Sequence, residues 1–284
     1  MPVSLYRLCV QARWWVSRLT AIVCGSLLFV GAAQSAEHCN RLVASGNNQY
    51  PPLLWVDPAD THALRGAGAA LLSQLLAEHG ITLEARNVGP WARAQNDARN
   101  GRIDMLLGAF KTDERQTWMD YLHPAYTYVP SVIFVRKGHG FEYNGWDDLR
   151  DKRGSTLVNN SFGNAFDVFA REFLDISAFP SVRQSFETLL LNRVDYVIYE
   201  RYQGMALAEQ IGIADQLEIL PGSVINEALY FTFSKRSECN TPELRAALED
   251  TLARFNREGV MEQLIAEYGE RWSSQFIQQS PADP

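Results

Sequence analysis

The segment Leu107-Gly108-Ala109-Phe110-Lys111-Thr112-Asp113-Glu114-Arg115 joins a strand to a helix, and the same grammar recurs along the whole chain. The mostly apolar run from Ile103 to Phe110 reads as a buried strand. It stops at Thr112-Asp113, a good helix start because side-chain oxygens accept the first free backbone N–H groups. Arg115 then falls on the first turn of a short helix. A strand end, a glycine with accessible backbone, a helix N-terminus and a guanidinium converge on one spot, which suits a carboxylate. A surface arginine in a helix cap fits the same residues, and this segment alone does not separate the two.

The N-terminus reads as a targeting segment. Arg7, Arg13 and Arg18 come with no acidic residue, Leu19 to Ala33 is almost entirely apolar, and small residues follow at Ala33-Gln34-Ser35-Ala36. That order is expected of a cleaved secretory signal peptide over residues 1–36, its apolar part being short for a membrane span. Cleavage would leave 248 of the 284 residues and, since three arginines and no acids depart, shift the formal charge from −7 to −10. An acidic exported chain gives no electrostatic case for binding nucleic acid or an anionic membrane. Periplasmic localisation is expected.

Four cysteines are present, and two leave with the signal. Cys39 and Cys239 remain as one possible disulfide in an oxidising compartment. It would close a loop of roughly 200 residues, for which the chain-entropy model gives about 5 kcal/mol. Two buried free thiols are the other reading. Two cysteines without clustered histidines make a poor metal site, so no metal is expected. No cofactor is expected either: Gly66-Ala67-Gly68-Ala69-Ala70-Leu71 fits a dinucleotide fingerprint only superficially, since no clear strand precedes it.

Along the chain, strands are expected at Arg41–Ser45, Ile81–Val88 and Ile103–Phe110, with a helix from Gly66 to His79 and another starting at Gly89-Pro90-Trp91 and ending at Asn100-Gly101 between them. This βαβαβ alternation implies a mostly parallel sheet, in which ligands bind beyond the carboxyl ends of the strands. Tyr50, Trp91, Phe110 and Arg115 all lie at or just after such ends. Tyr50 is either a stacking or a loop-packing aromatic. Trp91 is either core or a wall of the site, and Arg93 is either solvent-facing or a second anion contact. After an extended crossing from Tyr126 to Lys137 the alternation restarts. Asn159-Asn160-Ser161-Phe162-Gly163 is a polar strand-to-helix loop with backbone N–H groups open to an anion, and Glu200 ends the apolar strand Val194–Tyr199. A second extended run, Leu229–Phe233, leads to helices through Phe255 and from Val260 to Tyr268. The tail from Ser273 reads as loose.

The order of these pieces resembles the type II periplasmic solute-binding proteins, family 3, known as receptors of polar amino-acid ABC importers. The carriers are Leu42-Val43-Ala44-Ser45-Gly46 with Tyr50-Pro51-Pro52, Gly101-Arg102-Ile103-Asp104, and above all Thr112-Asp113-Glu114-Arg115 followed by Asp120 and Pro124-Ala125-Tyr126. Arg193-Val194-Asp195-Tyr196-Val197 and Thr241-Pro242-Glu243-Leu244-Arg245 add to it. The resemblance implies an α/β fold of two lobes, two βα sheets joined by a two-strand hinge, with lobe 1 at 37–126 and 230–284 and lobe 2 at 127–229. It implies that Arg115 and the backbone from Gly108 to Phe110 grip a carboxylate, with Asn160, Ser161 and Phe162 completing that site. Tyr50 and Trp91 would stack on the ligand, and Glu200 would take an ammonium. Three departures stand out: Phe110 where Ser or Thr is common, Ala70 where an acid is common, and Glu200 where Asp is usual.

The expectation is therefore a monomeric binding protein without catalytic residues, closing on an amino-acid-like ligand and presenting it to an ABC permease. A soluble sensor serving a membrane receptor is compatible with the same residues. An exported cyclohexadienyl-dehydratase-like enzyme is the alternative from another class, with Glu200 as general acid.

Overall fold

Strand β1 (Arg41–Ser45) is the first element in this computed structural model, which describes residues 39–277. The expected signal segment lies outside the described residues. A three-stranded antiparallel sheet follows, β2 (Gln49–Tyr50), β3 (Leu54–Val56) and β4 (Leu64–Arg65); the residues of β2 read as part of a loop over 46–52. Helix α1 (Ala67–Ala77) buries Leu71, Leu72, Leu75 and Leu76 on one face, and β5 (Thr82–Ala85) and α2 (Trp91–Arg99) come next. Strand β6 (Met105–Phe110) then meets α3 (Asp113–Gln116). The Thr112 hydroxyl accepts the Arg115 N–H at 3.1 Å, so the cap legible in the sequence sets the start of this single turn.

Strand β7 (Met119–Tyr121) precedes the long β8 (Thr127–Arg136). The second block holds a 3₁₀ turn at Trp146–Leu149, β9 (Arg153–Leu157), α4 (Asn164–Phe173), β10 (Asp175–Phe179), α5 (Val182–Leu190), β11 (Tyr196–Glu200), α6 (Arg201–Gln210) and β12 (Leu217–Ile219). A second long strand, β13 (Ile225–Ser234), leads to α7 (Pro242–Glu258) and α8 (Val260–Ile277). Strands β7 and β10 are absent from the sequence reading because β7 spans three residues and β10 is a mostly exposed edge. The segment from Ser273, read as loose, continues α8 to Ile277. Trp272 anchors that helix edge-on against Trp55, with ring centroids 5.3 Å apart.

The main sheet has ten strands, eight of them in the order β10-β9-β11-β8-β13-β6-β1-β5. Its two ends follow one plan. At one end β5, β1 and β6 run parallel and β6 pairs antiparallel with β13; at the other β10, β9 and β11 run parallel and β11 pairs antiparallel with β8. Between them β8 and β13 pair antiparallel over Ile225↔Ser131 to Leu229↔Thr127. The two βα blocks are thus carried by one continuous hydrogen-bonded path, and β8 and β13 are the strands that join them. One core lies within the second block, where Ile133, Phe166, Tyr196 and Ile198 are fully buried. Cys39 and Cys239 are disulfide-bonded. Among the described residues no helix is long and apolar enough to cross a membrane, and no cluster of His, Cys, Asp and Glu could hold a metal.

Gly66 fixes the approach of the small sheet to α1. Its φ of 142° is open to glycine, and an added Cβ would sit 2.3 Å from the Leu53 carbonyl oxygen. That closeness lets Ala67 N–H and Gly68 N–H donate to the Pro52 and Leu53 carbonyls at 3.0 and 2.9 Å. Gly66→Ala is expected to lower unfolding stability by about 3 kcal/mol or more, as read from urea denaturation followed by circular dichroism.

Candidate functional site

The parallel strands of both blocks point their carboxyl ends at one place. Asn47 follows β1, Trp91 opens the helix after β5, Phe110 ends β6, Asn160 follows β9 and Glu200 ends β11; all five line one small cavity of about 30 Å³. Ser45↔Leu106 is the last β1–β6 pair. Residues Leu107 to Phe110 therefore leave one strand edge facing this cavity, which they line. Gly108 is required there: a Cβ would meet the Tyr126 hydroxyl at 2.7 Å and Leu229 Cδ2 at 3.3 Å.

Arg115 is 3% exposed. Its Nη1 donates to the Phe110 carbonyl at 3.0 Å and its Nη2 to the Asn159 carbonyl at 3.1 Å. The guanidinium lies 5.5 Å from the Trp91 ring centre, which supplies a cation–π contact. Burial pulls its pKa down, while Tyr121, Asp167, Glu114 and Glu200 push it back up. Arginine keeps its charge under such shifts. Among the described residues no carboxylate closes an ion pair with it: its hydrogen-bond partners are carbonyls.

Glu200 is 1% exposed and carries the opposite charge on the same cavity. Asn160 Nδ2 donates to its Oε1 at 3.2 Å, and its Oε2 has no hydrogen-bond partner. Burial pushes its pKa up to about 7, against the opposing effects of its backbone hydrogen bond, the Asn160 amide and Arg115. Burial and the neighbouring Glu200 also raise the Tyr50 and Tyr199 phenols well above their ordinary value.

The structure brings Tyr50, Trp91, Gly108, Phe110, Arg115, Asn160 and Glu200 together around the cavity. Ser161 and Phe162 do not line it, although Ser161 shares a neighbouring cavity with Arg115 and Asn160. The Ser161 hydroxyl and the Phe162 N–H, the latter at 2.8 Å, both donate to Asp167 on α4. The Phe162 ring packs in the core, edge-on to Phe166 at 5.7 Å. The anion-binding groups expected in this loop are therefore already taken by a carboxylate from the helix's own first turn. The sequence shows Asp167 as a favourable N-terminal acid, but not that it turns back on the loop. Arg93 is exposed and does not line the cavity.

The sequence reading names the Asn159 loop for its N–H groups but misses the Asn159 carbonyl, and it misses Tyr199 altogether. Asn159 has a left-handed backbone (φ 57°), and its carbonyl also accepts Gln95 Nε2 at 3.1 Å. The left-handed tolerance of Asn was the available signal. Tyr199 stands edge-on to Tyr50 at 6.4 Å and accepts a hydrogen bond from Asn47 Nδ2 at 3.0 Å. It reads as core in a continuous apolar strand. Arg115 and Asn160 also line a larger polar cavity of about 400 Å³, to which Gln95, Glu114, Asn159 and Asp167 contribute.

The arrangement can hold an anion at Arg115 and a cation at Glu200, or donate a proton from a neutral Glu200 carboxyl. Solved structures with the same fold include the amino-acid ABC transporter substrate-binding protein AbpA from Streptococcus pneumoniae, bound to L-arginine. It is 19% identical, with a TM-score of 0.66 over 82% of this chain and 96% of that one. A histidine kinase sensor domain with similarity to periplasmic binding proteins is 21% identical, with a TM-score of 0.69 over 81% and 96%. AncCDT-1, described as an ancestral amino-acid-binding precursor of cyclohexadienyl dehydratase, is 19% identical, with a TM-score of 0.63 over 81% and 95%. No curated protein sequence matches the chain. The profile of the bacterial extracellular solute-binding proteins, family 3, matches residues 42–271, and the chain belongs to that family.

Proposed function

We propose that the protein is an exported receptor that captures a small amino acid, as the zwitterion, between two lobes and presents it to an ABC permease. One observation carries this reading: two buried, opposite, incompletely partnered charges, Arg115 and Glu200, line one cavity. A ligand carboxylate at the guanidinium and an ammonium at Glu200 Oε2 would complete both. The lobes are residues 37–126 with 230–284, and 127–229, and β8 and β13 form the hinge. On this reading Tyr50, Trp91, Gly108 and Phe110 shape the first lobe's share of the site and Asn160 orients Glu200. The Asn47–Tyr199 hydrogen bond spans the lobes. Residues 1–36 act as a cleaved signal peptide that delivers the chain to the periplasm, where the disulfide forms.

A second reading is favoured by the Glu200 carboxyl alone. A buried acid with a pKa of about 7 is poised for general-acid work at neutral pH, as in a dehydratase acting on a cyclic carboxylic acid held by Arg115. Incubating the purified protein with prephenate and watching for aromatic product in the ultraviolet separates the two. Turnover that depends on Glu200 would replace the receptor reading.

Arg115→Met is expected to weaken binding of the best amino-acid ligand by about 2–5 kcal/mol in titration calorimetry, because it leaves the ligand carboxylate buried without its countercharge. Affinity unchanged by that substitution would remove Arg115 from the site. Since an ammonium needs an ionised Glu200, affinity should fall by up to about tenfold per pH unit below about 7 and level off above it. Calorimetry between pH 5.5 and 8 reads this directly, and a flat profile would mean that Glu200 does not face the ammonium.

The same group contributes to the pH dependence of the ligand-free protein. Glu200's folded pKa is raised above its usual 4.5, so the stability held by its neutral form is fully present below about 4.5 and lost as pH rises through about 7. Glu200→Gln should therefore make the ligand-free protein more stable at pH 8, by about 3 kcal/mol from the shift, and barely change it near pH 4.5. Calorimetric melting at the two pH values checks the difference.

A further inference from the structure

The walls of the cavity say more about the ligand than its two charges do. Among its lining residues Arg115 and Glu200 alone are charged. The remaining surface is largely apolar, with Leu53, Leu54, Leu107 and Leu229 among the lining residues. The Tyr126 hydroxyl, which also lines the cavity, donates its proton to the Leu107 carbonyl at 2.9 Å and is left only as an acceptor. A charged ligand side chain turned toward these leucines would therefore lie buried with no countercharge; the polar lining groups Asn47, Tyr50 and Asn160 stand elsewhere among the cavity residues.

The walls are also fixed in place. Leu53 is held through its N–H to the Tyr50 carbonyl at 3.0 Å and through its own carbonyl, which accepts the Gly68 N–H at 2.9 Å. Leu229 and Tyr126 press against Gly108 closely enough to exclude a Cβ. The space of about 30 Å³ is small, so only a compact side chain fits without rearrangement, and these contacts oppose its widening on the leucine side.

Resting on the receptor reading above, we infer that the ligand is an α-amino acid with a short, uncharged aliphatic side chain of about alanine's size, seated against Leu53, Leu54, Leu107 and Leu229. Net charge at the occupied site is then balanced, one cation and one anion on each partner. This separates the chain from AbpA, which was solved with L-arginine bound. Against this wall electrostatics excludes the long charged side chains, and the leucines themselves exclude the long apolar ones.

The test is titration calorimetry of the full mature protein, stripped of bound small molecules by reversible unfolding, with glycine, L-alanine, L-2-aminobutyrate, L-leucine, L-arginine and L-glutamate. Alanine or 2-aminobutyrate should bind tightest, with arginine and glutamate weaker by at least about 100-fold. Arginine or glutamate binding tightest would overturn the inference while leaving the receptor reading intact. Binding of none of the six would instead remove the receptor reading on which it rests. In Leu229→Ala the affinity for leucine relative to alanine should rise at least about tenfold as the wall retreats. An unchanged ratio in a variant that melts normally would place the side chain elsewhere and likewise overturn the proposal.

Discussion

A guanidinium buried without a carboxylate is the constraint around which this molecule is arranged. Taking an ionised group out of water costs several kcal/mol unless partners replace its hydration. Here the replacements are two backbone carbonyls, Phe110 at the end of β6 and Asn159 after β9, together with the face of Trp91. Carbonyl dipoles satisfy hydrogen-bonding geometry but leave the net charge standing. The residual field acts on Glu200, whose ionised form Arg115 favours and burial opposes. The site thus holds two charges in a balance that an added zwitterion can tip.

The topology explains why these groups meet. Each block places three parallel strands side by side and ends against an antiparallel strand, β13 or β8, that also belongs to the other block's neighbour in the sheet. Functional side chains on parallel strands gather beyond the carboxyl ends. Because β8 and β13 run antiparallel to each other, the carboxyl ends of both blocks are turned toward the same crossing. Asn47, Phe110, Asn160 and Glu200 reach one cavity from four different strand ends for that reason.

Much of this was legible in the residues. The Thr112 cap, a strand ending at Phe110 and the placement of Arg115 on the first turn follow from local rules, and the structure reproduces them, the strand starting at Met105 rather than Ile103. The parallel blocks follow from alternation. What escaped was non-local. Asp167 sits six residues beyond Ser161 and looks like an ordinary dipole-favouring acid, yet it draws the Ser161 hydroxyl and Phe162 N–H away from the cavity. Tyr199 looks like one apolar residue among many in β11, and only the approach of Asn47 from a distant loop reveals its hydroxyl as a partner. The short strands β7 and β10 and the extension of α8 to Ile277 depend on neighbours, β13 for the first, β9 for the second and Trp55 for the third. A single sequence carries no direct signal for such pairings.

The contact between Trp91 and Arg115 has a consequence of another kind. Of the tryptophans in the described residues, Trp91 is the one that lines this cavity, and its indole already feels a nearby positive charge. Indole emission shifts with the local electric field. The protein therefore carries its own fluorophore at the wall of the chamber, and occupancy of that chamber can be followed by light without attaching a dye.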